Sequence, residues 1–141
     1  MKKSVILALA LAAVVLAYSA GRAQEALTYA DSSTAFSQLQ QDTNGTVMQP
    51  IMHVSAGDVL AVIIGRAPRQ VFTKQDELLY VVSGHGTAMV GYPSYALKPG
   101  SVLSIARNTA FQITASGNAP IKAIMIASPN FDPNDKRVLE P

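Results

Sequence analysis

The sequence predicts an all-β fold, a small barrel or jelly roll preceded by one short helix. Three observations carry that expectation. About eight short segments rich in Val, Ile, Leu and Tyr follow one another between residues 46 and 127. Turn residues cut between them, the 141-residue chain holding 9 Gly and 8 Pro. Charged residues make up 14% and aromatics 6%, a mix that suits a turn-rich β domain better than a helical bundle. The length allows one domain.

Taken in order, residues 1–23 stand apart from the fold. Lys2 and Lys3 form a basic start, Val5–Ala17 is an unbroken apolar run of 13 residues, and small residues lead to Gly21-Arg22-Ala23. This is the layout of a secretory signal peptide cleaved after Ala23. The run is short of the roughly 20 residues a membrane span needs. The expected location is therefore the periplasm or the secreted fraction. Removing residues 1–23 takes Lys2, Lys3 and Arg22 from the 11 Lys+Arg and leaves 8 against 9 Asp+Glu. A mature net charge of −1, with no basic patch, argues against nucleic acid as a partner. The absence of Cys excludes disulfides and thiolate chemistry.

Residues 24–45 read as an extension carrying the helix. Asp31-Ser32-Ser33 offers N-cap residues, Phe36 and Leu39 lie three apart over Thr34–Gln41, and Asn44-Gly45 supplies a stop. Residues 46–127 then read as the barrel. Val47–Val54 is a strand placed at an edge by Pro50. Val59–Gly65 is a continuous apolar run, expected of a strand covered on both faces. Gln70–Ser83 reads as one long strand, and Thr87–Val90 as its hairpin partner across Gly84-His85-Gly86. Tyr95–Leu97, Val102–Ile105, Ala110–Thr114 and Ile121–Ala127 complete the set, between turns at Gly91-Tyr92-Pro93, Lys98-Pro99-Gly100, Arg107-Asn108-Thr109 and Ser116-Gly117-Asn118. Residues 128–141, rich in Pro and alternating charge, read as a surface tail.

Two stretches carry a resemblance. Asp76-Glu77-Leu78-Leu79-Tyr80-Val81-Val82-Ser83-Gly84-His85-Gly86 is similar to the end of the first motif of the cupin superfamily, an acidic residue followed by a hydrophobic run and Gly-x-Gly. Pro99-Gly100-Ser101-Val102-Leu103-Ser104-Ile105-Ala106-Arg107-Asn108-Thr109-Ala110-Phe111 is similar to the second. The resemblance covers roughly residues 57–127. It implies a cupin-like β-barrel (jelly roll) and a homodimer. The departures bear on chemistry. The positions of the family's His-x-His pair fall on Phe72 and Lys74, or on Val71 and Thr73 in the other register, and that of its third His on Phe111. Of the ligand set only Glu77 remains, with Asp76 beside it. One carboxylate cannot supply the three or four N/O ligands of an imidazole-rich metal site, so no metal and no cofactor is expected there.

What stands in its place has three readings. In the first, Phe72 and Phe111 give an apolar interior with Glu77 as its polar handle, and Tyr80 and Arg107 complete a site for a small organic molecule, or the filled barrel serves a periplasmic protein partner. In the second, the chain is a divergent cupin lyase or isomerase with Glu77 as acid/base and Lys74 assisting. Side chains alternate along a strand, so Phe72 and Lys74 would share a face. Against a catalytic Lys74 stands an ordinary exposed lysine paired with Asp76 or Glu77. In the third, Met48, Met52, His53 and His85 hold copper, since thioether and imidazole suit Cu(I). Against it, Met is a routine core filler and Met52 and His53 point to opposite faces of a strand. Loop arginines at Arg66, Arg69 and Arg107 could grip an anionic group, or serve solubility alone.

Overall fold

The computed structural model describes residues 29–39 and 44–140; the signal peptide expected at residues 1–23 lies outside them. The helix, α1 (Ser32–Gln38), starts at Asp31, whose carboxylate accepts from the Ser33 amide at 2.9 Å and the Ser33 hydroxyl at 2.8 Å. That satisfies an N-terminal donor the helix cannot pair internally. It ends with Leu39 as its C-cap, shorter than the sequence suggested; residues 40–43 lie outside the described set.

Ten strands follow, β1 (Thr46–Val54), β2 (Gly57–Ile64), β3 (Gln70–Val71), β4 (Asp76–Ser83), β5 (Gly86–Val90), β6 (Ser94–Leu97), β7 (Val102–Ile105), β8 (Phe111–Ala115), β9 (Ile121–Ser128) and β10 (Arg137–Val138). They form two five-stranded sheets, ordered β1-β2-β9-β4-β7 and β10-β3-β8-β5-β6, with antiparallel pairing throughout. β1 is an edge strand, as Pro50 requires, and its register shifts between Pro50 and Met52. β2 lies inside the first sheet and is covered on both faces. Leu60, Val62 and Ile64 point into the barrel, while Ala61 and Ile63 meet Ala35 and Phe36 of α1. Two-sided burial is why its sequence is apolar without alternation.

Two expectations are corrected. Gln70–Ser83 is not one strand: β3 belongs to the second sheet and β4 to the first. Between them the amides of Thr73 and Lys74 donate to the Asp135 carboxylate at 2.9 and 2.8 Å, so they leave the ladder and the chain crosses from sheet to sheet. β4 and β5 are not a hairpin, because they too lie in different sheets. Gly84 makes that crossing at φ +88°, where a side chain would also collide with the Pro120 carbonyl. The residues after β9, read as a surface tail, are fastened to the barrel. The Phe131 amide donates to Asp58 at 2.6 Å, that of Asp132 to Gln75 at 2.9 Å and that of Leu139 to the Arg69 carbonyl at 2.8 Å, and β10 pairs with β3.

Candidate functional site

Alternation along β4 turns Glu77, Leu79 and Val81 inward and Leu78, Tyr80 and Val82 outward. Glu77 sits between Ile105 of β7 and Ala127 of β9, deep in an apolar sheet. On the facing sheet Phe72 and Phe111 are buried and stacked, their ring centroids 5.8 Å apart and the planes 20° from parallel. Gln70, paired in register with Phe111, is buried beside them. Between these groups lies a cavity of about 20 Å³ whose walls include Met48, Gln70, Phe72, Glu77, Phe111 and Met125. That is room for about one water.

The electrostatics of this interior are unusual for a core. Glu77 accepts one hydrogen bond, from the Gln75 amide at 3.1 Å. Burial pushes its carboxyl up to about 7; the Gln75 bond opposes the shift and the charge of Asp135 adds to it. The Gln70 amide oxygen is buried with no hydrogen-bond partner among the described residues. Two polar groups, one carboxyl neutral in mildly acidic solution and one bare acceptor, thus line the same small cavity.

A hydrogen-bond path leads outward. The Gln75 oxygen accepts from the Asp132 amide, and Asp132 pairs with Lys74 at 3.2 Å. Asp135, itself buried, accepts from the Thr73 amide at 2.9 Å, the Thr73 hydroxyl at 2.6 Å and the Lys74 amide at 2.8 Å. Burial works against its charge, but these donors outweigh it and hold the carboxyl below its ordinary range. The segment after β9 is thereby clasped against the rim beside Glu77.

Of the residues expected at a site, the structure brings Glu77, Phe72 and Phe111 together and leaves the other three outside. Lys74 does not share the face of Phe72, because the chain has left the strand by residue 74; its side chain is 69% exposed and pairs with Asp132. Tyr80 stands on the outer face of β4. Arg107 holds Asp76 in a two-pronged pair, Nη2 at 2.8 Å and Nε at 3.0 Å, with its own amide also donating to that carboxylate. The Arg107 side chain and amide pull the Asp76 carboxyl down to about 2. Met48 packs against the core. His53 is exposed, with Nδ1 2.6 Å from Asp58, and His85 is exposed in the crossing between sheets. Among the described residues no group of three His, Cys, Asp or Glu side chains is placed to hold a metal ion. Sequence reasoning missed Gln70, Gln75 and Asp135. The two glutamines flank Phe72 and were open to view; Asp135 lies 62 residues from Thr73, and no local pattern links them.

No protein-family model and no curated protein sequence matches the chain. Solved structures do. Pac13 from Streptomyces, described as a nucleoside dehydratase, superposes with a TM-score of 0.62 at 16% identity over 81% of this chain and 92% of its own. CapF from Staphylococcus aureus, a capsular polysaccharide assembling protein, does so with a TM-score of 0.61 at 22% identity, over 72% of this chain and 34% of its own. Likeness at these identities is likeness of fold, and with the two sheets above it makes this chain an all-β, cupin-like barrel, with one short helix among the described residues.

Proposed function

We propose that this cupin-like chain is an exported binding protein that takes a small organic ligand in the barrel interior against Glu77, without the usual metal of such barrels. One observation carries the reading: Glu77 and the Gln70 oxygen face a common cavity and neither is fully satisfied. An interior evolved only as filler gains nothing from a carboxyl whose ionisation burial opposes, since apolar side chains of similar size would pack there without that cost. The cavity is only about 20 Å³, so ligand entry moves the Phe72–Phe111 pair or the clasped segment after β9. A neutral Glu77 offers one O–H donor and the Gln70 oxygen one acceptor. The ligand that fits both carries a carbonyl or ring nitrogen next to a hydroxyl or N–H, on an apolar body that meets the two rings.

The test is native mass spectrometry with elemental analysis on protein purified from the periplasm. The expected result is a chain cleaved after Ala23, an organic mass bound at one per chain and no stoichiometric metal. Glu77→Gln is expected to weaken that ligand by roughly 10- to 100-fold while leaving the fold intact. An empty chain that binds nothing from a periplasmic extract overturns the reading.

A second reading rests on the carboxyl near 7. A general acid/base works best with its pKa near the working pH, and Glu77 meets that requirement. A lyase or isomerase of this type loses turnover in Glu77→Gln yet keeps substrate affinity; a binder loses affinity and has no turnover to lose.

A further inference from the structure

The fold sorts the three loop arginines of the sequence. Arg107 is spent on Asp76. The guanidinium groups of Arg66 and Arg69 have no hydrogen-bond or ion partner among the described residues. Of these two, Arg66 lines a cleft of about 220 Å³ between the end of β2 and the loop from β8 to β9, and Arg69 does not.

Both sides of this cleft are anchored. Arg66 bridges Thr114, held by the Ala67 amide on the Ile113 carbonyl at 3.1 Å and the Ala115 amide on the Gly65 carbonyl at 2.8 Å. The opposite loop is fixed at its start by the Ser116 amide on the His85 carbonyl at 2.8 Å, and at its end by β9. Between those anchors Gly117, Asn118 and Ala119 edge the cleft, and their amides donate to no partner among the described residues. Gly117 turns the chain at φ +70°, and a side chain there would meet nothing within 4 Å, so the loop borders open space. Among the described residues no carboxylate lines the cleft, and Ala115, Ala119 and Pro120 give it an apolar wall.

We propose that this cleft binds the phosphate group of a small phosphorylated molecule, Arg66 meeting two of its oxygens and the loop amides the others. An arginine fork matches a pair of phosphate oxygens, and successive free amides in a turn form an anion cradle. Donor supply favours phosphate over carboxylate. The guanidinium, the loop amides and the Asn118 side chain offer more donors than the two oxygens of a carboxylate accept, and they do not lie in one plane. The apolar wall takes the carbon body of the ligand. The site is independent of the Glu77 cavity, since Glu77 is level with Ala127 near the end of β9 whereas Pro120 precedes its start.

Amide-resolved NMR on the processed protein tests this, with glycerol phosphate, glycerol and acetate as probes. Glycerol phosphate is expected to shift the amides of Gly117, Asn118 and Ala119 saturably, with a dissociation constant on the order of 1 mM or below. Glycerol leaves them unmoved, and acetate binds about tenfold more weakly or worse. Arg66→Gln weakens glycerol phosphate by on the order of 30-fold. Arg66→Lys, which keeps the charge and loses the fork, falls between. Arg69→Gln removes the same charge outside the cleft and changes the affinity by less than about twofold. Arg66 is exposed, so its variants keep the fold, which unchanged resonances in the strands verify. The absence of saturable shifts in the three amides overturns the proposal, as does equal affinity for acetate. Equal weakening by Arg66→Gln and Arg69→Gln marks a diffuse attraction of charge and overturns it too.

Discussion

Two buried carboxylates lie near the ends of one chain of hydrogen bonds and meet opposite conditions. Asp135, in the clasp of the C-terminal segment, receives three donors from Thr73 and Lys74 and stays charged. Glu77, on the barrel interior, receives one amide donor among Ile105, Ala127 and two phenyl rings, and its carboxyl rises to about 7. The difference lies in both depth and the supply of donors: both residues are almost wholly hidden from solvent, but Glu77 lies deep in the apolar interior and Asp135 close beneath the surface. Where the backbone turns its N–H groups inward, a buried charge becomes part of the scaffold. Where the ladder has used them, the carboxyl is left neutral and available.

The contrast is broken most forcefully by Asp135→Ala, which strands two amides and a hydroxyl and frees the segment after β9. The expected result is a fall in Tm on the order of 15 °C, with fast hydrogen exchange in β3 and β10. Asp135→Asn, with one acceptor oxygen in place of two, falls between the variant and the parent.

Next in size is the pH dependence, where the two groups have opposite signs. The folded pKa of Glu77 lies above its unfolded 4.5, so its contribution to stability is fully present below about 4.5 and is lost as pH rises through 7. The loss amounts to about 3 kcal/mol. Asp135 is depressed, so its contribution is present above its unfolded pKa and is lost as pH falls through the lower folded value. Urea unfolding at pH 5 and pH 8 reads the first effect, and in Glu77→Gln that difference is expected to shrink by most of its size. An unchanged difference would show that Glu77 ionises freely in the folded state.

The smallest effect sharpens the contrast from outside. Lys74→Met removes an exposed ion pair with Asp132 and is expected to move Tm by no more than about 2 °C. A larger drop would make the Lys74–Asp132 pair part of the clasp.

The barrel was legible in the sequence because its signals are local. Pro50 marked an edge strand, the unbroken run Val59–Gly65 marked a strand covered on both sides, and the Gly-Pro punctuation marked the turns. Glu77, Phe72 and Phe111 were legible through the motif resemblance, and they do meet. The rest failed where a distant residue decides the local structure. Gln70–Ser83 has the composition of one strand, and only the carboxylate of Asp135 draws Thr73 and Lys74 out of it. The same break places Lys74 off the face of Phe72. Tyr80 was assigned to the site by its place in the motif, whereas strand alternation, counted from Glu77, puts it outside. Gly84-His85-Gly86 resembles a hairpin turn, yet a change of sheet uses the same glycine freedom.

The clasp also sets an order of events during synthesis. A chain made from its N-terminus completes β1 to β9 before Asp132 and Asp135 exist, although Thr73, Lys74 and Gln75, which they bind, were made some 60 residues earlier. Until then the amides of Thr73 and Lys74 are solvated. A nascent chain halted at residue 128 would hold nearly all of both sheets and still lack the groups that bind Thr73, Lys74 and Gln75, so the crossing between β3 and β4 is fastened only when residues 132–135 have been made.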